Sequence, residues 1–246
     1  MILRSSDPVL AGFLRDLEAA STLPVPTTPA DLSAASAADI EAARVTWANR
    51  VIDEYRGFIV FSEVLTLLGD AAAPFAVLSA VERVVADELR HVRLCHMAVE
   101  WLGGWDDLHP DLEGMRPRRT GKPALSDARR LIALEMVVGE SESIPMFEAF
   151  RRATTDASIQ RVLTIIMQDE VRHAAAGRAI LPVVEQAALE AGVALDPDLV
   201  ETMATTREHI RALYRRAATD GPGRALGASI RAEDLTPARG AEPRPH

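Results

Sequence analysis

Cysteine is nearly absent from this 246-residue chain. Cys95 stands alone, which excludes an intrachain disulfide and any Cys-x-x-Cys zinc or rubredoxin module. One thiol fits a reducing cytoplasm, where the protein is expected. Aromatic residues are scarce at 4% against 48% apolar residues, so the core must be aliphatic, as in an alanine-rich helical protein. No apolar run approaches the ~20 residues of a membrane span. The first twenty residues interrupt their apolar pattern with Arg4, Asp7, Arg15 and Asp16, unlike a secretory signal. A basic surplus is also missing. The net charge of −9 argues against a nucleic-acid partner. The one basic cluster, Arg116, Arg118, Arg119 and Lys122, reads as a solvated connection.

What the chain does have is helical periodicity. Residues 7–20 predict a short amphipathic helix, and the proline-rich stretch 22–29 an extended arm. A helix follows over 39–69 with Asp39 as its cap, and Pro74 opens a second that ends near residue 102. Residues 103–124 lack periodicity. A third helix is expected from a Ser126 cap to about 153, a fourth from about Asp156 to Gly192, and a fifth over about 197–219. The order is helix pair, long connection, helix pair. A short link makes each pair antiparallel, and a 22-residue connection is long enough to return along the bundle in the crossover sense. The expected fold is therefore all-α: a four-helix bundle with one additional C-terminal helix packed on it over 39–220, preceded by a short helix and arm over 1–38. A loosely ordered tail should follow over 221–246.

One motif occurs twice. Residues 87–91 read Asp-Glu-Leu-Arg-His and residues 169–173 read Asp-Glu-Val-Arg-His. On a helix, Glu88 and His91 share a face, as do Glu170 and His173. A carboxylate beside an imidazole suits iron, manganese or zinc. Two such pairs supply four ligands, and the folding of each helix pair shows where others should lie. Folding about the first link brings Glu54 level with Glu88. Folding about the second brings residue 141 level with Glu170, flanked by Glu140 and Glu142. These two point in different directions, so only one can face inward. Glu140 is preferred because it shares a face with Val137, Ile144 and Phe147; Glu142 stays open as the alternative, with Glu135 behind both. Glu63 points away from the Glu54 face. Six such side chains facing one another without a cation would be heavily penalised. Four carboxylates balance two divalent ions.

This pattern resembles the ferritin-like diiron carboxylate proteins, with one Glu from each of two helices and Glu-x-x-His from each of the other two. The resemblance covers roughly residues 40–192. It implies that Glu54, Glu88, His91, Glu140, Glu170 and His173 ligate two iron ions, or a manganese and an iron, with Glu88 and Glu170 bridging. It also implies that Asp169 orients His91 and Asp87 orients His173. Arg90 and Arg172 either neutralise this cluster or pair at the surface. Cys95, one turn beyond His91, occupies the offset of the radical tyrosine of the ribonucleotide reductase small subunit, where a bacterial methane oxygenase has cysteine. It is either part of the site's surroundings or a small buried apolar residue. Tyr55 points away from the Glu54 face, and Trp47, Trp101 and Trp105 are expected near the bundle ends. His96, His109, His209 and His246 match no ligand spacing.

Three helical features could shape the site. Gly57 and Gly139, beside Glu54 and Glu140, provide either space for dioxygen or close helix packing. Pro145 should distort the third helix just beyond Glu140. The resemblance implies an O2-dependent oxidoreductase that oxidises a small organic substrate by hydroxylation, desaturation, N-oxygenation or oxidative cleavage. It would need an external electron donor, and a homodimer is possible by analogy. The alternative is a ferroxidase or iron-storage protein.

Overall fold

The computed structural model describes residues 23–105, 109–218 and 220–235, among which there is no strand. Helix α1, Ala37–Asp70, begins with a capping box: Asp39 N–H donates to the Ser36 hydroxyl and Ser36 N–H to the Asp39 carboxylate, each at 3.1 Å. Ser36 is the cap, and Asp39, expected there, is three residues inside. A tight link with Ala72 at φ 53 leads to α2, Phe75–Trp101. A single turn, α3 (Leu112–Met115), interrupts the long connection. Next comes α4, Ala124–Leu131, starting directly after Pro123 rather than from a Ser126 cap. Pro74 and Pro123 stand where a missing amide leaves no helical bond unmade.

From α4 the rod continues as a π-helical stretch over Ile132–Gly139 and then α5, Glu140–Ala153. The irregularity therefore falls before Glu140, where Glu140 N–H bonds Glu135 O, and α5 runs on through Pro145. Gly177 explains how the wider turn is accommodated. A Cβ there would lie 2.7 Å from Met136 Cβ and 3.0 Å from its carbonyl carbon, so the π stretch packs backbone-close against the facing helix. That helix is α6, Ala157–Glu190, capped by Asp156, whose carboxylate accepts from Ile159 N–H at 2.8 Å. Last is α7, Leu199–Ala217.

The long connection travels the length of α1. At the start of α1, Arg44 donates to Gly104 O at 3.3 Å; at its end, Arg119 bonds Glu63 at 2.6 Å and Asp70 at 3.3 Å. At 1.5 Å per residue the stretch from Arg44 to Asp70 is about 39 Å. Two apolar clusters fill the bundle. One centres on Phe61, Leu68, Val84, Ile132 and Ile180; the other on Trp47, Leu94, Phe147, Leu163 and Ile166. Every long helix of the bundle crosses from one cluster to the other, and between them lies a polar waist.

Helix α7 packs over the π stretch. The segment 221–235, expected to begin a loose tail, is packed up to Leu235. Leu226 and Ile230 are buried, Trp47 Nε1–H donates to Leu226 O at 2.9 Å, and Gly223 N–H to Asp39 at 2.6 Å. Gly223 is obligatory there, with φ 76 and only 2.8 Å between a built Cβ and Asp39 O. The arm lies along the start of α6: Asp31 N–H reaches Asp156 at 2.8 Å, and Ser158 Oγ–H donates to Thr28 O at 2.8 Å. The helix expected over 7–20 and residues beyond 235 lie outside the described residues. No helix among the described residues is long and apolar enough to cross a membrane.

Candidate metal centre

The waist is built from four helices. Glu54 comes from α1, Glu88 and His91 from α2, Glu140 from the first position of α5, and Glu170 and His173 from α6; all six are buried. They form two groups, Glu54–Glu88–His91–Glu170 and Glu88–Glu140–Glu170–His173, each with ligand atoms within 4.8 Å of one another. Glu88 and Glu170 belong to both. His91 Nδ1 lies 3.2 Å from Glu54, 3.5 Å from Glu170 and 3.8 Å from Glu88. His173 Nδ1 lies 3.1 Å from Glu88 and 3.7 Å from Glu140. The two rings are 5.6 Å apart, and the Phe61 edge approaches His173 from the apolar side.

Each imidazole turns its other nitrogen to the Asp of the opposite motif. His91 Nε2 is 3.0 Å from Asp169, and His173 Nε2 is 3.5 Å from Asp87. Arginines hold both carboxylates in turn. Arg90 and Arg172 pair with Asp169, while Arg83 and Arg90 each reach Asp87 at 3.1 Å. Arg83, four residues before Asp87 on the same face, is a partner the motif comparison missed. Ser143 is another: its hydroxyl donates to Glu170 at 3.0 Å from one turn beyond Glu140.

The electrostatics show strain without a cation. Burial pushes the Glu88 carboxyl up to about 7, with the charges of Glu170 and Glu54 acting in the same sense against the two imidazoles. Burial and the neighbouring Glu140 push Glu170 well above the usual carboxylate range. Burial alone would lower both histidines, yet the surrounding carboxylates hold them raised. Asp87 is lowered: His173 and the arginines outweigh its burial. Three atoms facing the waist, Glu88 Oε1, Glu140 Oε2 and His173 Nδ1, are buried without a hydrogen-bond partner. Glu88 Oε1 and His173 Nδ1 approach closely but are not aligned as a hydrogen bond. A cation among them would satisfy all three, and the oxygen and imidazole donor set suits iron or manganese. The residues therefore fit a metal.

The other candidates are accounted for elsewhere. Glu142 is buried but faces α7, where Arg207 and Arg211 donate to it at 3.0 and 2.7 Å. Glu135 pairs with Arg56 at 3.0 Å and Glu63 with Arg119. At Gly57 an added Cβ would run into the Glu88 carboxylate, so the missing side chain makes room for that carboxylate. Gly139 has only Leu134 O near a built Cβ. Cys95 is fully buried, and burial pushes its thiol up. Tyr55 stacks on Phe58, Trp47 is core, and Trp105 lies under Arg44 at 5.2 Å. His96 is exposed beside Glu100, and His109 and His209 are also exposed; His246 lies outside the described residues.

Two neighbours of the waist carried no sequence signal. Arg50, one turn before Glu54, is buried with its guanidinium 4.5 Å from the Trp47 ring centre and 4.1 Å from that of Phe150. Burial lowers it only to about 10, so it stays a cation at neutral pH. Tyr214 on α7 lines a cavity of about 480 Å³ with Ser141, Glu142, Pro145, Arg211 and Arg215. Burial and the charges of Glu170, Glu140 and Asp53 hold the phenol protonated. No protein-family model matches the chain, and no curated protein or solved structure matches it either.

Proposed function

We propose that the chain is a non-haem diiron protein of the ferritin-like type that activates dioxygen to oxidise a small organic molecule. One observation carries the reading: six buried side chains from four helices form two ligand groups that share Glu88 and Glu170. Glu54 and His91 would hold one ion, Glu140 and His173 the other, and the shared carboxylates would bridge them. Such an iron pair, when bound, supplies the electrons and Lewis acidity that dioxygen reduction needs.

The remaining work falls to the chain itself. Asp169 accepts from His91 Nε2, which would fix that tautomer and turn Nδ1 toward the ions, and Asp87 stands 3.5 Å from His173 Nε2, where it would do the same once that ring is held by metal. Ser143 sets the orientation of Glu170. The two apolar clusters exclude water from both ends of the waist. A cavity between α5 and α7, lined by Ser141, Pro145 and Tyr214, would take the substrate, and turnover would draw on a separate electron donor.

The test is anaerobic loading with ferrous iron, an oxygen pulse, and an iron count per chain. About two irons and a transient absorption band support the reading. Failure to bind iron would sink it. Steady uptake of many irons per chain would move the protein to the storage class instead.

A further inference from the structure

Helix α7 carries arginines at 207, 211 and 215, four-residue steps that place them along one face. In a chain of net charge −9 this is a local reversal of sign, and it borders the cavity on the Glu142 face of α5. Arg207 and Arg211 are occupied by Glu142. Arg215 is exposed, lines the cavity and has no acceptor among the described residues. The remaining walls are largely apolar: Pro145, Ala232, Leu235 and Tyr214. The volume of about 480 Å³ is that of a small-molecule site.

The cavity is graded from outside to inside. Arg215 marks the solvent side. Tyr214, half-buried, marks the inner side. A guanidinium fork pairs best with a planar two-oxygen anion. Glu142 and the waist carboxylates disfavour a dianion, which leaves a singly charged acid.

We propose that this cavity binds a small monocarboxylate, its acid group at Arg215 and its apolar body against Tyr214, Pro145, Ala232 and Leu235. That this acid is the substrate rests on the oxidase reading; that it binds does not. The arginine row also favours the approach of anions to this side of an acidic protein.

Calorimetry on the full chain tests this with octanoate and octanamide, using the metal-free protein and protein loaded with redox-inert zinc. Octanoate should bind one per chain in both forms, at least tenfold more tightly than the amide. Arg215→Gln should weaken it roughly three- to tenfold at low salt, the range of a partly exposed charged contact, and 0.5 M salt should shrink that gap. Ala232→Trp, which fills the cavity, should abolish binding while the protein still melts cooperatively. Equal affinity for the amide, or no response to either substitution, overturns the proposal. Binding seen only with zinc also overturns it, because the carboxylate would then be sitting on the metal. Octanoate binding without any oxygen reaction of the iron-loaded protein would defeat the oxidase reading alone, and the reverse result the cavity alone.

Discussion

The two halves of the waist carry nearly the same five residues, yet they are held differently. On the Glu54–His91 side the supporting helix α1 is unbroken and the His91 Nε2 contact to Asp169 is 3.0 Å; two arginines hold Asp169 and two hold Asp87, so they do not separate the halves. On the Glu140–His173 side, Glu140 follows eight residues of π-helix, and neither His173 nitrogen has a hydrogen-bond partner. The cavity lies on the Glu142 face of α5, the helix that also carries Glu140. Identical ligands thus sit in one anchored and one adjustable frame. Repeating a motif fixes which donors are present; the surroundings decide how firmly each is aimed.

The largest expected effect separates what the halves share from what they own. Glu88→Ala or Glu170→Ala removes a carboxylate common to both groups and should leave almost no bound iron. Glu54→Ala or Glu140→Ala should retain about one ion per chain. Metal analysis after anaerobic loading checks this. If the outer substitutions empty the site as completely as the shared ones, the halves do not load separately and the comparison breaks.

Next in size is a pair of glycines. Gly177→Ala drives a Cβ toward Met136 backbone that cannot retreat without shifting the π stretch, which should cost about 1–3 kcal/mol in chemical denaturation. Gly57→Ala meets only the end of the Glu88 side chain, and the better helix propensity offsets part of the push. Its stability should barely change while iron content falls, because Glu88 must turn away. Should Gly177→Ala prove harmless, the π stretch is not pinned by this contact.

Protonation sharpens the comparison further. In the metal-free protein Glu88 is raised to about 7 from 4.5, and Glu170, His91 and His173 are raised too. A group raised in the folded state favours folding below its unfolded pKa and withdraws that support as pH rises through the folded value. Asp87 is lowered and acts the other way, but its support is lost only below about pH 4, near its ordinary value. Between pH 5 and 8 the metal-free protein should therefore lose a few kcal/mol of stability. Bound metal should flatten or reverse the slope, since ligation replaces the protons. Denaturation with and without chelator across that range decides it; a flat metal-free profile would mean that the carboxylates find solvent.

Much of this site was legible because its logic is local and periodic. Helical spacing puts Glu88 and His91 on one face, and a short link makes Glu54 their level partner; no long-range information is needed. Choosing Glu140 over Glu142 also followed from facial periodicity, and Glu142 proves to serve α7. The π stretch was not legible, because nothing in local spacing marks the close approach of Met136 to Gly177 across the bundle. Pro145 was the visible disruptor, yet α5 absorbs it. Tyr214 and the arginines of α7 were hidden for a similar reason: which face of an added helix lies over the site depends on packing, not on spacing. Residues 221–235 look like a tail by composition, yet a backbone carbonyl at Leu226 completes the buried Trp47 indole.

The smallest effect concerns the outer aspartates. Asp169→Asn removes charge from a carboxylate that touches His91 at 3.0 Å and takes two guanidinium groups, so metal affinity in that half should fall by about 10- to 100-fold. Asp87→Asn acts on a histidine 3.5 Å away whose Nε2 is not aligned with it, so its effect should be the lesser of the two. Competition against a chelator of known affinity measures both. Equal losses would show that loading draws His173 onto Asp87 as firmly as His91 is drawn onto Asp169. The adjustable half would then be a property of the metal-free chain alone, and the π stretch would be the element that moves to make the halves alike.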